Sequence, residues 1–516
     1  MAIIQRVLIS VTDKTGIAEF ARGLAGLGCE IVSTGGTARA LKEAGLAVRD
    51  IADLTGFPEM LDGRVKTLHP KIAAGVLAIR ANPEHRAALQ AHGISTIDIV
   101  VVNLYAFEKA AAREGATVPD LIENIDIGGP TLIRAAAKNY QDVAVVVAPS
   151  DYPAILEELR AGGLSLATRW SLAQKAFRLT ADYDRAISAR LARISVKDGE
   201  FRDSNPALPP LLDLRAPRAL DLRYGENPHQ AAALYANGHS GIAGARQLHG
   251  KELSYNNLVD LDASWQLIGE FDQPATAIIK HTNPCGCAER ATLVESYRKA
   301  LECDPVSSFG GVLAFNRPVD EATAREIVKI FVEAIAAPDY SPEALAILTG
   351  RKNLRLLKVA DADASALVVK SITGGYLAQT PDVGRLDLSK TEVKTERAPT
   401  EEEWRALEFG WKVAKHVKSN AIVYATPGQT AAVGAGQMSR VDSVKLGAMK
   451  AMLPLAGTVV ASDAFFPFPD GVEEAARHGI TAIIQPGGSI RDPEVVAAAN
   501  RLGLAMVFTG VRHFRH

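Results

Sequence analysis

A lysine, a histidine and an asparagine lie together in one short polar stretch. Residues 277–286 have the sequence AIIKHTNPCG, so an apolar run gives way to polar residues and then to proline and glycine. This pattern predicts a buried strand that ends in a polar turn. Lys280 would bring a cation to that turn, His281 a base and Asn283 an amide. Open α/β sheets bind ligands at strand ends, so we expect a functional site; the alternative is a loop whose side chains cap neighbouring backbone.

Two more polar clusters follow apolar runs near the N-terminus. Ser10 ends the first run and Lys14 comes shortly after it, while STGGT at residues 33–37 follows the second run and opens a helix-like segment. Inward-turned glycine N–H groups, hydroxyls and a helix N-terminus make a phosphate site, for which Lys14 could supply the charge. A Gly-Gly turn without a ligand would look similar, but the neighbouring Ser/Lys cluster favours the phosphate site.

Three further clusters lie in the first 150 residues. In RVKTLHP, residues 64–70, the two cations are alternate residues and can face the same way in an extended segment. NLY at residues 103–105 follows the third apolar run, and DIGGPT at residues 126–131 precedes a helix. Each charge alone is typical of a solvated surface. Their joint placement after predicted strands favours a site.

The elements that would position these groups are short, mostly β-branched apolar runs separated by helix-like segments. This alternation predicts a mostly parallel sheet covered by helices on both faces. The runs lie at residues 7–11, 30–33, 97–102 and 143–147. A long helix over residues 166–191 has one apolar face and would pack on the first sheet or on a partner chain. A Pro-rich linker at residues 203–210 indicates a domain boundary near residue 200.

Composition restricts the classes of protein to which the chain can belong. Its 516 residues predict two to four domains. A net charge of -2 gives no overall attraction to nucleic acid or to anionic membranes. Four cysteines argue against a disulfide framework and fit a reducing compartment. With neither a signal peptide nor an apolar run of membrane-spanning length, we expect a cytoplasmic protein that binds no nucleic acid and no membrane.

The second half of the chain contains a loose internal repeat. Lys-His occurs at residues 280–281 and again at 415–416, and EAIAAP at residues 333–338 is echoed by TAIIQP at residues 481–486. Repeated order predicts two related α/β subdomains that face each other and share one cleft. Chance similarity of Lys-His dipeptides is the alternative.

The cysteines raise the question of zinc. PCGC at residues 284–287 invites comparison with the Pro-Cys-x-x-Cys of zinc deaminases, but its spacing is CxC and no His-x-Glu is placed to complete a site. We therefore predict no zinc. We interpret Cys285 and Cys287 as turn residues, and Cys29 and Cys303 as core residues.

The N-terminal motifs STGGT, RVKTLHP, NLY, DIGG and AAAKN resemble the methylglyoxal-synthase-like domain of bifunctional purine biosynthesis proteins, the inosine monophosphate (IMP) cyclohydrolase half. One departure is Ala106, where many relatives have proline after the tyrosine. The resemblance implies that Lys66, Tyr105, Asp126 and Lys138 surround the reacting groups. The nucleotide-binding residues that it implies are Ser10, Lys14, Ser33, Thr34, Gly35, Gly36, Thr37, Arg64, Thr67, Asn103 and Gly128.

The C-terminal motifs RYGENPHQ, KELSYNN, KHTNPCG, DPVSSFGG, KSNAIVYA, GAGQMSRVDS, SDAFFPF, QPGGSIRD and FTGVRHFRH resemble the aminoimidazole carboxamide ribonucleotide (AICAR) transformylase domain of the same family. That domain consists of two cytidine-deaminase-like α/β subdomains without zinc. The implied fold class is α/β, with a methylglyoxal-synthase-like doubly wound parallel sheet at residues 1–150. A helical connector at 151–200 and a transformylase domain at 201–516 follow, with subdomains at roughly 201–350 and 351–516.

Two successive reactions follow from the resemblance. The formyl group of 10-formyltetrahydrofolate passes to the 5-amino group of AICAR, giving formyl-AICAR (FAICAR) and tetrahydrofolate, and FAICAR closes to IMP with loss of water. For formyl transfer, His281 would take the amine proton, Lys280 would stabilise the oxyanion or protonate the departing nitrogen, and Asn420 would hold the imidazole or the amide. The substrate-binding residues implied are Arg223, Tyr224, Asn257, Phe309, Gly310, Glu333, Phe465 and Arg512.

For ring closure, Lys66 would stabilise the oxyanion, and Tyr105, Asp126 and Lys138 are unranked candidates for proton transfer. The family is homodimeric, so we expect a homodimer, and a requirement for a monovalent cation stays open. One alternative is a methylglyoxal-synthase-type lyase with a non-catalytic C-terminal half. Another is a nucleotide-binding regulator without catalysis.

Overall fold

The structure, a computed structural model, describes residues 4–61, 64–105, 107–204, 206–238, 240–360 and 367–516. Ala106, the departure from the family pattern, therefore lies outside the described residues. The chain divides into two compact units, Met1–Pro210 and Leu211–His516. Each unit has its own sheets and hydrophobic cores.

Unit 1 contains a five-stranded parallel sheet in the order β3-β2-β1-β4-β5, the doubly wound arrangement that the sequence predicts. Its strands are β1 (Arg6–Ser10), β2 (Glu30–Ser33), β3 (Val48–Asp50), β4 (Ile99–Val102) and β5 (Ala144–Val146). Successive side chains of a strand point to opposite faces, so Val7 and Ile9 enter one core and Leu8 the other. The order reverses beside β1, and β1, β2 and β4 end at the same edge.

Helices cover both faces of this sheet. They are α1 (Ile17–Gly26), α2 (Gly35–Glu43), α3 (Ile51–Thr55), α4 (Pro70–Leu77), α5 (Pro83–Ala91), α6 (Phe107–Ala111), α7 (Val118–Glu123), α8 (Gly128–Lys138), α9 (Tyr152–Arg160) and α10 (Leu166–Leu191). The long helix α10 has the predicted bounds, and its residues Ala173 and Ala176 pack in the core formed with α4 and α8. A hairpin of β6 (Ile194–Lys197) and β7 (Glu200–Asp203) follows.

Unit 2 is built on one twelve-stranded mixed sheet, in the order β10-β15-β14-β13-β11-β12-β20-β19-β21-β22-β23-β18. Its strands are β10 (Arg246–His249), β11 (Ala275–Lys280), β12 (Asn283–Glu289), β13 (Val312–Phe315), β14 (Ala334–Ala337), β15 (Arg355–Lys358), β18 (Glu392–Val393), β19 (Ile422–Thr426), β20 (Gln429–Gly434), β21 (Val459–Ser462), β22 (Ala482–Gln485) and β23 (Ala505–Phe508). Two separate hairpins pair β8 (Arg218–Leu222) with β9 (Ala232–Tyr235) and β16 (Val368–Ile372) with β17 (Gly375–Gln379).

The helices of unit 2 form a layer on each face of this sheet. They are α11 (Tyr255–Ile268), α12 (Leu293–Cys303), α13 (Pro305–Ser308), α14 (Glu321–Ile327), α15 (Pro342–Leu348), α16 (Glu401–Ala414), α17 (Arg440–Lys450), α18 (Asp470–Arg477) and α19 (Asp492–Arg501). Helices α11 and α16 share one core on one face. On the other face α12, α14 and α15 pack over the first half of the sheet, and α17, α18 and α19 over the second.

The internal repeat is visible as a repeated order of elements. The series α11-β11-β12-α12-β13-α14-β14-α15-β15 returns as α16-β19-β20-α17-β21-α18-β22-α19-β23, with α13 as an extra turn. EAIAAP and TAIIQP contribute the equivalent strands β14 and β22, as predicted. The two Lys-His dipeptides are not equivalent, however, because Lys280 ends β11 whereas Lys415 and His416 follow α16.

The prediction that the two subdomains face each other is wrong, because they join edge to edge. Strands β12 and β20 pair through one register position, Ala288 with Gln429. Beside it, the Thr430 hydroxyl accepts from the Cys287 N–H at 2.9 Å and donates to its carbonyl at 3.1 Å. The Glu289 N–H also donates to the Gly428 carbonyl at 3.0 Å, so backbone pairing at this seam is short and the Thr430 side chain extends it.

The interpretation of Cys285 and Cys287 as turn residues is also wrong. Both lie in β12, where they are buried, because the turn closes within two residues and the chain enters the second strand at once. Cys29 and Cys303 are buried, as predicted.

Candidate active sites

The edge of the unit 1 sheet carries the first site, and Asn103 fastens the loop that follows β1. Its Oδ1 accepts from the N–H groups of Thr12 and Asp13 at 2.6 and 2.9 Å, and its Nδ2 donates to the Asp13 carbonyl at 3.0 Å. These bonds fix the loop that presents Lys14. The Asn103 side chain therefore positions the loop; its predicted contact with nucleotide stays a prediction.

The STGGT segment forms the end of β2 and the start of α2. The Ser33 hydroxyl donates to the Ile9 carbonyl at 2.7 Å, and the Thr37 hydroxyl accepts from the Val11 N–H at 3.1 Å. Thr34 precedes the helix without capping it through its side chain, and Gly35 has a φ of 54°. A helix N-terminus without a side-chain cap can direct its N–H groups at an anion.

Lys66, Tyr105 and Asp126 come together beside this turn. A Cβ built on Gly35 would lie 3.9 Å from the Lys66 Nζ, so the ammonium stands over the start of α2. The Asp126 Oδ1 accepts from the Gly129 N–H at 2.8 Å. Burial raises the pKa of Asp126, although the N–H groups of Gly129 and Tyr105 and the charge of Lys66 oppose that rise. The Lys66 ammonium thus lies over the start of α2 within electrostatic range of the Asp126 carboxyl group, which Tyr105 approaches through its backbone N–H.

Thr67 and Gly128 also lie together, since a Cβ on Gly128 would meet the Thr67 Oγ1 at 2.6 Å. Arg64 is exposed and forms an ion pair with Glu123. Lys138 is exposed at the last residue of α8, and its role stays a prediction.

Tyr183 is a residue of this site that sequence reasoning missed. Its hydroxyl accepts from the Asp126 N–H at 2.7 Å and donates to the Asn124 carbonyl at 3.3 Å. It lies on α10 and packs edge-on against Phe107. The sequence placed Tyr183 on an apolar helix face, and the only signal for a polar role was the hydroxyl itself, because a buried tyrosine hydroxyl needs a partner.

The Lys280–His281 stretch of unit 2 forms the tip of the β11–β12 hairpin. Lys280 pairs with Asn283, so His281 and Thr282 are the two turn residues, and their φ angles are 51° and 62°. The carboxylate of Asp260, on α11, accepts from the N–H groups of both, at 3.2 and 2.7 Å. The predicted polar turn is therefore confirmed as a tight hairpin. The sequence did not predict that Asp260 holds this turn.

Lys280 and His281 line a cavity of about 240 Å³ with Asp304 and Lys450. The Lys280 Nζ donates to the Phe309 carbonyl at 2.9 Å, and Lys450 lies 3.4 Å from the Asp304 carboxylate. The Phe309 ring is exposed and packs beside that of Phe331. Lys280 and His281 thus line one cleft, and their joint role there stays a prediction.

Asn420 belongs to a second cavity, of about 540 Å³, which Phe465 and Arg512 also line. Its Nδ2 donates to the Gln437 carbonyl at 2.9 Å, and its Oδ1 accepts from Arg440 at 2.8 Å. The hairpin is linked to this segment by the Asn283 Oδ1, which accepts from the Lys418 N–H at 3.0 Å. Lys280 and Asn420 therefore line two different cavities, and this hydrogen bond joins the two chain segments that carry them.

Arg440 is a second residue that sequence reasoning missed. It is buried and donates to the Asp463 carboxylate at 2.6 Å and to the Ser462 hydroxyl at 2.7 Å. A buried guanidinium that contacts both Asn420 and an acidic partner orients the Asn420 amide. The signal was available in the motif GAGQMSRVDS, whose arginine directly precedes a helix-like segment.

Five predicted binding residues have structural partners or a constrained backbone of their own. Arg223 donates to the Tyr224 hydroxyl at 2.9 Å and stacks on its ring, 4.7 Å from the centroid. Asn257 forms a capping box with Ser254 at the start of α11. Glu333 pairs with Arg355 at 2.6 Å. Gly310, at a φ of 73°, follows Phe309. These partners leave the predicted roles as predictions.

The chain has two α/β units, and each carries its own cluster of polar and charged side chains. This arrangement is that of an enzyme with two active sites. A family model described as "AICARFT/IMPCHase bienzyme" matches residues 136–450, and one described as "MGS-like domain" matches residues 16–131. The chain belongs to the AICARFT/IMPCHase bienzyme family. It is a bifunctional formyltransferase and cyclohydrolase of purine biosynthesis.

Two curated relatives cover the whole length of the chain. The Bifunctional purine biosynthesis protein PurH of Parvibaculum lavamentivorans is 54% identical, over 99% of this chain and 97% of its own. That of Roseobacter denitrificans is 53% identical, over 100% and 99%. A solved structure named "Crystal structure of ForH" is 36% identical over 36% of this chain and 98% of its own, with a TM-score of 0.33.

The two family models and the two curated relatives confirm the predicted family, the α/β fold class and the pair of activities. They favour two activities over the lyase and the regulator alternatives. Within the described parts of the chain, no helix is both long and apolar enough to cross a membrane. No group of three or more His, Cys, Asp or Glu side chains among those residues is placed to hold a metal ion.

Proposed function

We propose that the hairpin tip of unit 2 carries out formyl transfer from 10-formyltetrahydrofolate to AICAR, and that the sheet edge of unit 1 closes FAICAR to IMP. The observation that carries this proposal is the hairpin turn, which directs an imidazole and an ammonium into one cavity. Family membership supports the two reactions, and the separate clusters support their assignment to different units.

In formyl transfer, the poorly nucleophilic amino group of AICAR attacks the formyl carbon. The neutral His281 imidazole accepts the proton that the amine loses. Lys280 stabilises the oxyanion or protonates the departing folate nitrogen. Asn420, oriented by Arg440, holds the imidazole or the amide, and Phe465 stacks on an aromatic ring. The nucleotide is bound by Arg223, Tyr224, Asn257, Phe309, Gly310, Glu333 and Arg512.

In ring closure, the carboxamide nitrogen attacks the formyl carbon of the same molecule and water leaves. Holding these groups in contact supplies much of the rate enhancement. Lys66 stabilises the oxyanion, and Tyr105, Asp126 and Lys138 are the candidates for proton transfer. The raised pKa of Asp126 favours it as a group that both accepts and returns a proton. The phosphate lies over the start of α2, beside Lys14 and Arg64.

We also propose how the chain divides into domains and how the protein assembles. Residues 1–150 form the cyclohydrolase domain, residues 151–200 the connector, and residues 201–516 the transformylase domain with halves near 201–350 and 351–516. The protein works as a cytoplasmic homodimer on AICAR, FAICAR, IMP and folate. The composition and the few cysteines support the compartment, and clefts assembled from several loops support the dimer.

To test the proposal, the protein is incubated with AICAR and 10-formyltetrahydrofolate, and the formation of tetrahydrofolate and IMP is measured. We expect both products, and the absence of both would overturn the proposal. Lys66→Ala should let FAICAR accumulate, whereas His281→Ala should stop its formation yet still close supplied FAICAR. If His281→Ala blocked closure of supplied FAICAR equally, the assignment of two sites would be wrong.

A further inference from the structure

The turn that carries His281 has a backbone conformation that its residues disfavour. His281 and Thr282 both have positive φ angles, at 51° and 62°. Residues other than glycine, asparagine and aspartate seldom adopt this region, and for a β-branched threonine it is an outlier. Such a conformation persists only where surrounding groups enforce it, and it is concentrated at functional sites.

Asp260 supplies that enforcement from a neighbouring helix. Its two carboxylate oxygens accept separately from the N–H groups of His281 and Thr282, at 3.2 and 2.7 Å. One side chain thus fixes two successive peptide planes, which determines the direction in which the His281 side chain leaves the backbone.

The helix that carries Asp260 is itself held firmly. A capping box of Ser254 and Asn257 begins α11. The buried side chains Leu261 and Leu267 anchor the helix in the core beneath the sheet. Because α11 is capped and packed in the core, the Asp260 side chain has a fixed position. A fixed support of this kind is needed to place a catalytic group accurately.

We propose that Asp260 is a positioning residue for formyl transfer, which holds the β11–β12 turn so that His281 enters the cleft that Lys280 also lines. The inference rests on the proposed role of His281. Asp260 acts through the backbone and does not touch the reacting atoms. Its loss lets the turn relax toward negative φ, which moves the imidazole while the rest of the cleft stays in place.

The first measurement compares Asp260→Ala, Asp260→Asn and Asp320→Ala. Asp320 is a matched control, since its carboxylate accepts one backbone N–H at the start of α14, at 2.7 Å. We expect Asp260→Ala to lower the kcat of formyl transfer by about 10- to 100-fold, because a displacement of about 1 Å can have that effect. Asp260→Asn keeps one oxygen acceptor, so its kcat should lie between those of Asp260→Ala and the native protein. Asp320→Ala should keep kcat, and KM should change little in all three.

A double-mutant cycle then separates positioning from general stability. If Asp260 acts through His281, Asp260→Ala should lower the single-turnover rate of His281→Ala no further. A further loss equal to that in the native background would overturn the inference. Closure of supplied FAICAR should be unchanged throughout. Should Asp260→Ala fail to fold, Asp260→Asn is taken through the same cycle.

The outcomes distinguish this inference from the function on which it rests. If His281→Ala transfers formyl groups at the native rate, the proposed role of His281 is wrong. If His281→Ala is impaired but both Asp260 variants keep the native kcat, the function stands and the positioning role is wrong.

Discussion

The β11–β12 and β19–β20 hairpins occupy equivalent places in the two halves of the unit 2 sheet, yet their turns are built differently. The second has Pro427 and Gly428 as its turn residues, and Gly428 supplies a φ of 66°. Proline followed by glycine is the pattern of a stable tight turn. The first places histidine and threonine where the backbone favours asparagine and glycine.

The supports of the two turns differ in the same way. Arg290 donates to the carbonyls of Pro427 and Gly428, at 3.2 and 2.5 Å, so that turn is held through its carbonyl groups by a cation. The His281 turn is held through its N–H groups by the carboxylate of Asp260. One copy of the turn thus keeps residues suited to folding, whereas the other carries residues suited to chemistry and is held by an additional carboxylate.

The largest expected effect comes from giving the first turn residues that suit its backbone. The double substitution His281→Asn with Thr282→Gly matches the positive φ angles, so thermal stability should rise. Formyl transfer should fall by about 10²- to 10⁴-fold, because the base is gone. Calorimetry and a tetrahydrofolate assay measure the two effects. A variant that lost stability would contradict the account of the turn.

An opposite change in the second turn should affect stability without affecting the chemistry. In Gly428→Ala the new Cβ would lie 2.6 Å from an Arg290 nitrogen and 2.7 Å from the Glu289 carbonyl, at a positive φ. We expect a loss of about 2 kcal/mol in the free energy of unfolding. Denaturant titration measures the loss, and the kcat of the folded fraction should be unchanged. A large fall in kcat would show that the second turn also serves the site.

The smallest effect concerns the ends of the helices that precede the two hairpins. Glu270, just after α11, accepts from Lys415 at 2.8 Å and contacts His416 at 3.0 Å, just after α16. Burial disfavours the carboxylate, but the hydrogen bonds from His416 and Lys415 outweigh it and lower the pKa of Glu270 to about 2. Burial lowers the pKa of His416 as well.

Because the folded pKa of Glu270 lies below its ordinary value of 4.5, its stabilisation is present above pH 4.5 and is lost as the pH falls toward 2. Glu270→Gln should therefore reduce the free energy of unfolding by about 1 kcal/mol at neutral pH. It should also flatten the decline between pH 4.5 and 2. Chemical unfolding at several pH values measures both, and an unchanged slope in the variant would contradict this contact.

Sequence reasoning succeeded where local pattern decides the outcome. Apolar runs that end in polar turns located Ser33 at the sheet edge and Lys280 at the hairpin. Periodicity alone gave the bounds of α10. The order of motifs was sufficient for the family and the fold class.

Sequence reasoning failed to predict contacts between residues that lie far apart in the chain. Asp260 is 21 residues from His281, and Tyr183 is 57 from Asp126, so neither pairing leaves a local trace. An aspartate on the polar side of an amphipathic helix looks like any solvated carboxylate until the turn above it is known. The prediction that the two Lys-His dipeptides are equivalent was wrong for a related reason. Two identical residues do not show which helix or strand carries them.

The seam between β12 and β20 has a consequence for how unit 2 opens. Each half has its own ladder of backbone bonds, whereas across the join Ala288 and Gln429 form one register pair, the Glu289 N–H donates to the Gly428 carbonyl at 3.0 Å, and Thr430 bonds through its side chain. Local opening is favoured where backbone bonds are few, although the core shared by α11 and α16 still ties the two halves together. Amide hydrogen exchange should therefore be faster at the β12–β20 join than at the strand pairs on either side of it.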